Sequence, residues 1–243
     1  MNDKNEAALN LICENIENKY NDIFNGSGAG YRFMMSPKQT FSKKTKIALI
    51  TLNPGGRSKP PDHPEWYTDR RAAYVSEEWR FNGKRNPPGQ QPLQKQIREL
   101  FRLIHEKTGL STSGDALLDN SFCAQYIPFR SESYKKLKNK NQCKEFSKTI
   151  WQEIFSEHLA PRLIICIDKI AFSELKSMFG ESVGAVKPIR MGTGWGNIKV
   201  DIVRYDNGMT MVRFPHLSRF RIFGRKKSEL HVESIMAKIT SRI

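Results

Sequence analysis

The sequence predicts a three-layer α/β/α fold with a mostly parallel central sheet. Three observations predict it. The runs Lys46–Leu52, Ser121–Ile127 and Arg162–Ile167 are short, rich in β-formers and continuously apolar, the pattern of strands buried on both faces. Segments with apolar residues at helical spacing lie between them, and strands alternating with helices favour a parallel sheet covered on both sides. Turn or loop residues (Asn53, Pro128, Asp168 and Pro215) follow the strands, and in such sheets a site forms at the carboxyl ends of the strands. These four positions should therefore converge on one edge.

Taken in order, residues from about 5 to 24 read as an amphipathic helix, with Leu9, Ile12, Ile16, Tyr20 and Ile23 on one stripe. Small residues from Asn25 to Gly30 end it. The strand Lys46–Leu52 stops at Asn53-Pro54-Gly55-Gly56, a turn. A polar, proline- and aromatic-rich insertion of about 57–92 follows, with a short helix expected near Asp69 to Glu78. Loops this long inside a domain are usually functional. Leu93, Ile97, Leu100, Phe101 and Ile104 mark a helix closed by Gly109. After the second strand come a basic stretch, Tyr134 to Lys144, and a helix from Cys143 to His158 carrying Phe146, Ile150, Ile154 and Phe155.

The third strand is followed by a helix through Leu175 and Phe179. Gly192-Thr193-Gly194-Trp195-Gly196 resembles a phosphate loop, but no helix pattern opens after it, so a hairpin-like turn is expected. Ile198–Val203 and Met209–Phe214 are read as the last strands. A closing helix runs from Lys226 to Ile239, with Leu230, Ile235, Met236 and Ile239 inward. The chain 1–243 is read as a single domain.

Forty Lys and Arg face twenty-five Asp and Glu, giving a net charge of +15 and a pI near 9.7. That surplus suits a polyanion, because each neutralised phosphate releases counterions. The polar, acidic N-terminus is unlike a signal peptide, and no apolar run approaches membrane length, so a cytoplasmic protein without a membrane partner is expected. Cys13, Cys123, Cys143 and Cys166 are scattered, without a C-x-x-C pair, and read as buried reduced thiols. Asp62-His63 and Glu157-His158 lack ligand spacing, so no metal and no cofactor are expected.

Two segments carry the functional reading. Ile50-Thr51-Leu52-Asn53-Pro54-Gly55-Gly56 follows the first strand. Val212-Arg213-Phe214-Pro215-His216-Leu217-Ser218-Arg219-Phe220-Arg221 follows the last. In order and spacing, over roughly 46–243, the pair resembles the uracil-DNA glycosylase superfamily, whose members carry a G-x-D-P or G-x-N-P-G segment after the first strand and an H-P-S-type segment before a closing helix. This chain departs from the second pattern, reading P-H-L-S.

The resemblance implies a uracil-DNA glycosylase-like fold and a monofunctional N-glycosylase acting as a monomer on a base flipped out of DNA. Its partner is then double-stranded DNA with an extrahelical base, or single-stranded DNA. Asn53 matches the amide that positions water against an oxocarbenium-like sugar. His216 matches the donor to the carbonyl oxygen of the leaving base. Gln125 matches an amide that reads the base, and Gly55 stands where the uracil-specific branch has a Tyr that rejects substituents at carbon five.

Trp66, Tyr67 and Phe81 are expected to wall a larger pocket, with His63, Trp79 and Arg80 in the same loop. Arg57, Arg130, Ser218, Arg219, Arg221, Arg225 and Lys226 are expected on phosphates, and Phe220 as a wedge in the gap left by the flipped base. The preferred substrate is a hydroxymethylated or glucosylated cytosine of bacteriophage DNA, which implies antiphage defence. The alternatives are a uracil or mismatch-thymine enzyme of DNA repair, and an inactive DNA-binding module of the same fold. A nuclease would need clustered carboxylates, which the sequence lacks.

Overall fold

The computed structural model describes residues 3–59, 63–81, 84–183 and 188–243. Strands β1 (Ile47–Thr51), β4 (Phe122–Gln125), β5 (Leu163–Cys166) and β8 (Thr210–Arg213) form the parallel part of a six-stranded sheet. Strands β6 (Ile189–Gly192) and β7 (Lys199–Arg204) extend it, in the order β4-β1-β5-β8-β7-β6. β7 runs antiparallel to both β8 and β6. Register is fixed by pairs such as Thr51 with Gln125, Ile50 with Cys166 and Cys166 with Arg213. The expected three-layer, mostly parallel architecture is present.

Side chains of β1 alternate between two cores, as the period of a strand requires. Ala48 and Ile50 face helices α1 (Asp3–Phe24), α5 (Lys140–Glu153) and α6 (Lys169–Val183). Ile47 and Leu49 face α2 (Ala73–Ser76), α3 (Pro92–Thr108), α4 (Gly114–Asp119) and α7 (Glu229–Thr240). Burial on both faces is why these strands read as unbroken apolar runs.

Several expectations need correction. The helix foreseen near Asp69 to Glu78 is one turn, α2, and a small antiparallel hairpin of β2 (Trp79–Phe81) and β3 (Lys84–Asn86) occupies the same insertion. β6 was not foreseen, because its half-exposed Ile-Arg-Met-Gly has no clear period. The helix expected over Cys143–His158 begins earlier and closes in a π-turn, Ile154–His158. Leu230 points out, at 78% exposure, because the inward stripe of α7 is Val232, Ile235, Met236 and Ile239. The four cysteines are buried and free. Among the described residues, no helix is long and apolar enough to cross a membrane.

Candidate active site at the carboxyl edge of the sheet

Because β4, β1, β5 and β8 are adjacent and parallel, their exits stand in a row: Gln125, Asn53, Asp168 and His216. Neighbouring strands lie about 4.8 Å apart, so the exits of β1 and β8 are separated by roughly 10 Å, with β5 between them.

At the exit of β1, the Asn53 amide nitrogen donates to the Pro54 carbonyl at 3.1 Å and to Ser131 Oγ at 2.9 Å. A carbonyl only accepts, so this contact fixes which end of the amide is Nδ2. Oδ1 accepts from no described residue and is left for a ligand or water. The next turn is held to the exit of β4, where the Ser131 backbone donates to the Pro54 carbonyl at 3.1 Å. Gly55 is exposed, and a Cβ there would meet open space. Gly56 has φ +109°, a conformation that demands glycine.

Gln125 is buried and its Oε1 accepts from Thr51 Oγ1 at 2.8 Å, while Nε2 has no acceptor among the described residues. At the exit of β5, Asp168 Oδ1 caps α6 by accepting from the Ile170 and Ala171 amides. At the exit of β8, His216 is exposed and its Nδ1 lies 2.8 Å from Ser218 Oγ. Either atom of that pair can be the donor; with Ser218 donating, a neutral imidazole carries its proton on Nε2. Protein atoms crowd the edge around this ring, and the partial loss of water lowers its pKa from the ordinary imidazole value. The Asp168 carboxylate opposes that shift. Asp168 lies outside both motifs, and its place after a strand is what brings it into this row.

Arg130, expected on phosphate, is buried instead. Its Nη1 donates to the Gly55 carbonyl, and its enclosed Nε has no partner among the described residues. Burial, then the like charge of Arg32, lowers its pKa to about 10. Arg32 is itself buried and paired with Glu77, Nη1 to Oε2 at 2.8 Å, and Trp79 Nε1 donates to the same Oε2 at 3.0 Å. Burial raises the Glu77 carboxyl, but the hydrogen bond and charge of Arg32 outweigh it, and the net shift is down. His63 Nδ1 lies 3.7 Å from Glu77 Oε2, and burial lowers its pKa despite that carboxylate. A buried polar cluster therefore backs the Gly55-Gly56 turn.

Other expected residues fall elsewhere. Trp66 stacks on Tyr31, centroids 4.7 Å apart, and Trp66 and Tyr67 pack against the core beneath α1 rather than walling the strand exits. Their alternating contacts with the extended segment before β1, which the sequence did not reveal, take them there. Phe81 ends β2, and its side chain lies outside the described residues. Arg57 is exposed and pairs with Glu132. Phe220 is half-buried, covered by Arg219 at 5.3 Å and set edge-on to Trp195 at 6.1 Å. Arg219, Arg221 and Lys226 are exposed, while Arg225 is half-buried over the Trp195 ring at 4.5 Å.

Two cavities stand out, and neither lies between Asn53 and His216. One, of about 620 Å³, opens at the opposite edge beside Lys44, Lys46, Leu110 and Asn120. The other is a shallow hollow at the start of α5. The carboxyl edge is open, with Gly55 and His216 exposed and Asn53 and Asp168 half-buried. Set against known proteins, the chain matches no family model and no curated protein.

Proposed function

We propose that this chain is a DNA glycosylase of the uracil-DNA glycosylase superfamily, hydrolysing the N-glycosidic bond of a flipped-out base. The observation that carries the reading is the common edge of Asn53 and His216, two motifs far apart in sequence that flank the exit of a single strand. An open edge suits a nucleotide that stays joined to a polymer while it is extruded.

In the reaction, the bond from C1′ to the base nitrogen breaks and its electron pair leaves with the base. Water held at Asn53 Oδ1 adds to C1′, and the proton it loses balances the charge of the departing base. An amide suffices, because the cationic sugar needs an oriented water more than a strong base. His216 Nε2–H faces the carbonyl oxygen on which charge accumulates, where a fixed donor acts most strongly in the transition state. The Asp168 carboxylate, between the two, favours the developing cation. No lysine stands at a motif position, so the product is a free base and an intact abasic strand.

The open space at Gly55 supports a 5-substituted cytosine, hydroxymethylated or glucosylated as in phage DNA, over uracil.

The test offers the protein glucosylated phage DNA and a uracil duplex and identifies released bases by mass spectrometry. Release of the modified cytosine is expected. Asn53→Ala should lower the rate by about a hundredfold or more, with DNA affinity retained. His216→Ala should cost on the order of a hundredfold. Release of uracil alone rejects the bulky-base assignment, and release of no base from either DNA rejects the enzyme.

A further inference from the structure

The Gly192-Thr193-Gly194-Trp195-Gly196 turn is the tip of the β6–β7 hairpin, closed by Ile198 N donating to the Trp195 carbonyl at 3.0 Å and Thr193 Oγ1 donating to the Ile198 carbonyl at 3.0 Å. The tip is clasped to the loop that follows His216. Arg225 donates to the Gly194 carbonyl, and Gly194 (φ +71°) lies so close to the Lys227 carbonyl that any Cβ would collide with it. This clasp lines up four side chains. Arg219 covers Phe220 at 5.3 Å, Phe220 meets Trp195 edge-on at 86°, and Arg225 covers Trp195 at 4.5 Å.

Several charges elsewhere on the molecule are neutralised. Arg57 and Lys136 both pair with Glu132, and Arg102 pairs with Glu99 and Glu106. Among the described residues, Arg219, Arg221, Arg225, Lys226 and Lys227 have no acidic partner within ion-pair distance. All but Arg225 are exposed. Five cations in nine consecutive residues, unneutralised and with Arg219 and Arg225 each held over a ring, form a surface that lacks its anion.

The geometry points to a binding platform for single-stranded DNA running from His216 toward the hairpin tip. Arg221, Lys226 and Lys227 take successive phosphates. An unpaired base stacks on the outer face of the Arg219 guanidinium, whose inner face is held flat by Phe220. Stacking on a guanidinium or a ring accepts any base, provided its face is free. In a duplex those faces are covered by neighbouring pairs. Phe220, braced by Trp195 and capped by Arg219, serves as the floor of this stack. The inference rests on the nucleic-acid reading of the adjacent β8 exit and adds strandedness to it.

The experiment measures anisotropy of a labelled single-stranded oligonucleotide and of its duplex with the full chain, across a salt series. The single strand is expected to bind at least as tightly as the duplex. Arg219→Ala, an exposed change that leaves the fold intact, should weaken single-strand binding by about tenfold and duplex binding much less. Arg221→Ala should reduce the salt slope by about one phosphate contact. Phe220→Ala, checked for folding by its thermal melt, should match Arg219→Ala.

Unchanged single-strand affinity in Arg219→Ala, or an equal loss on duplex, overturns the platform. Asn53→Ala, run beside them, keeps the two readings apart. A protein that releases no base yet shows the Arg219 effect retains the platform and loses the glycosylase. One that releases base without that effect does the reverse.

Discussion

Gly55 and Gly56 are neighbours in one turn with different reasons to be glycine. Gly56, at φ +109°, is required by its backbone, whereas Gly55 faces open space and has no steric need to lack a side chain. Its small size therefore matters for what approaches from outside. Gly55→Tyr should fold like the parent, but it should cut release of glucosylated cytosine by about tenfold or more relative to an unsubstituted base, read from competing release rates. Equal loss on both bases would remove Gly55 from specificity. The places of Asn53 and His216 at strand ends were legible because each follows a recognisable strand. Arg130 was not: an arginine in a polar loop reads as surface, and only the folded chain shows it lodged under Gly55 beside Arg32 and Glu77. Trp66 and Tyr67 misled for the converse reason. An aromatic residue in a loop looks like a ligand wall until its packing partners, here Tyr31 and the α1 core, are known.

At the scale of elements, α3 anchors the insertion that reaches the site. Its first turn is closed by a reciprocal box, with Gln91 Oε1 accepting from Leu93 N at 2.7 Å and Gln94 Oε1 accepting from Gln91 N at 3.0 Å. Gln94 is fully buried, and its Nε2 also donates to the carbonyls of Ala73 and Glu77 at 3.0 and 2.8 Å. Gln91→Ala should therefore cost about 1 kcal/mol. Gln94→Ala should cost more, on the order of 2 kcal/mol, because it removes three hydrogen bonds made by a fully buried side chain. Chemical denaturation ranks them, and a milder Gln94 variant would rule out this bracing. The box was hidden from sequence reading because glutamine is an uncommon cap. The buried parallel strands were easy to read, since two-sided burial writes an apolar run. β6 and the β2–β3 hairpin were not, because partly exposed short strands leave no period to find.

For the whole molecule, three imidazoles titrate below their ordinary value. Burial lowers His158 and His63, and crowding lowers His216. Each is easier to protonate in the unfolded chain, so neutral imidazole stabilises the fold above the unfolded pKa of about 6.5, and that stability is lost as pH falls through the lower folded values. The melting temperature should therefore hold near pH 7–8 and decline below about pH 6.5. His158 is the cleanest probe: it is buried against Phe41 at 5.0 Å, and its Nδ1 has no partner among the described residues. His158→Phe should melt higher and flatten part of that decline, and a steeper decline would contradict the assignment.

The strand order β4-β1-β5-β8-β7-β6 also governs how the molecule comes into being. β6 and β7 emerge from the ribosome before β8, yet they join the sheet only through it. A nascent chain can mate β1, β4 and β5 early, but the late arrival of β8 delivers His216 and anchors the waiting hairpin in one step. The residues at the exits of β1 and β8 thus come together only once β8 has joined the sheet.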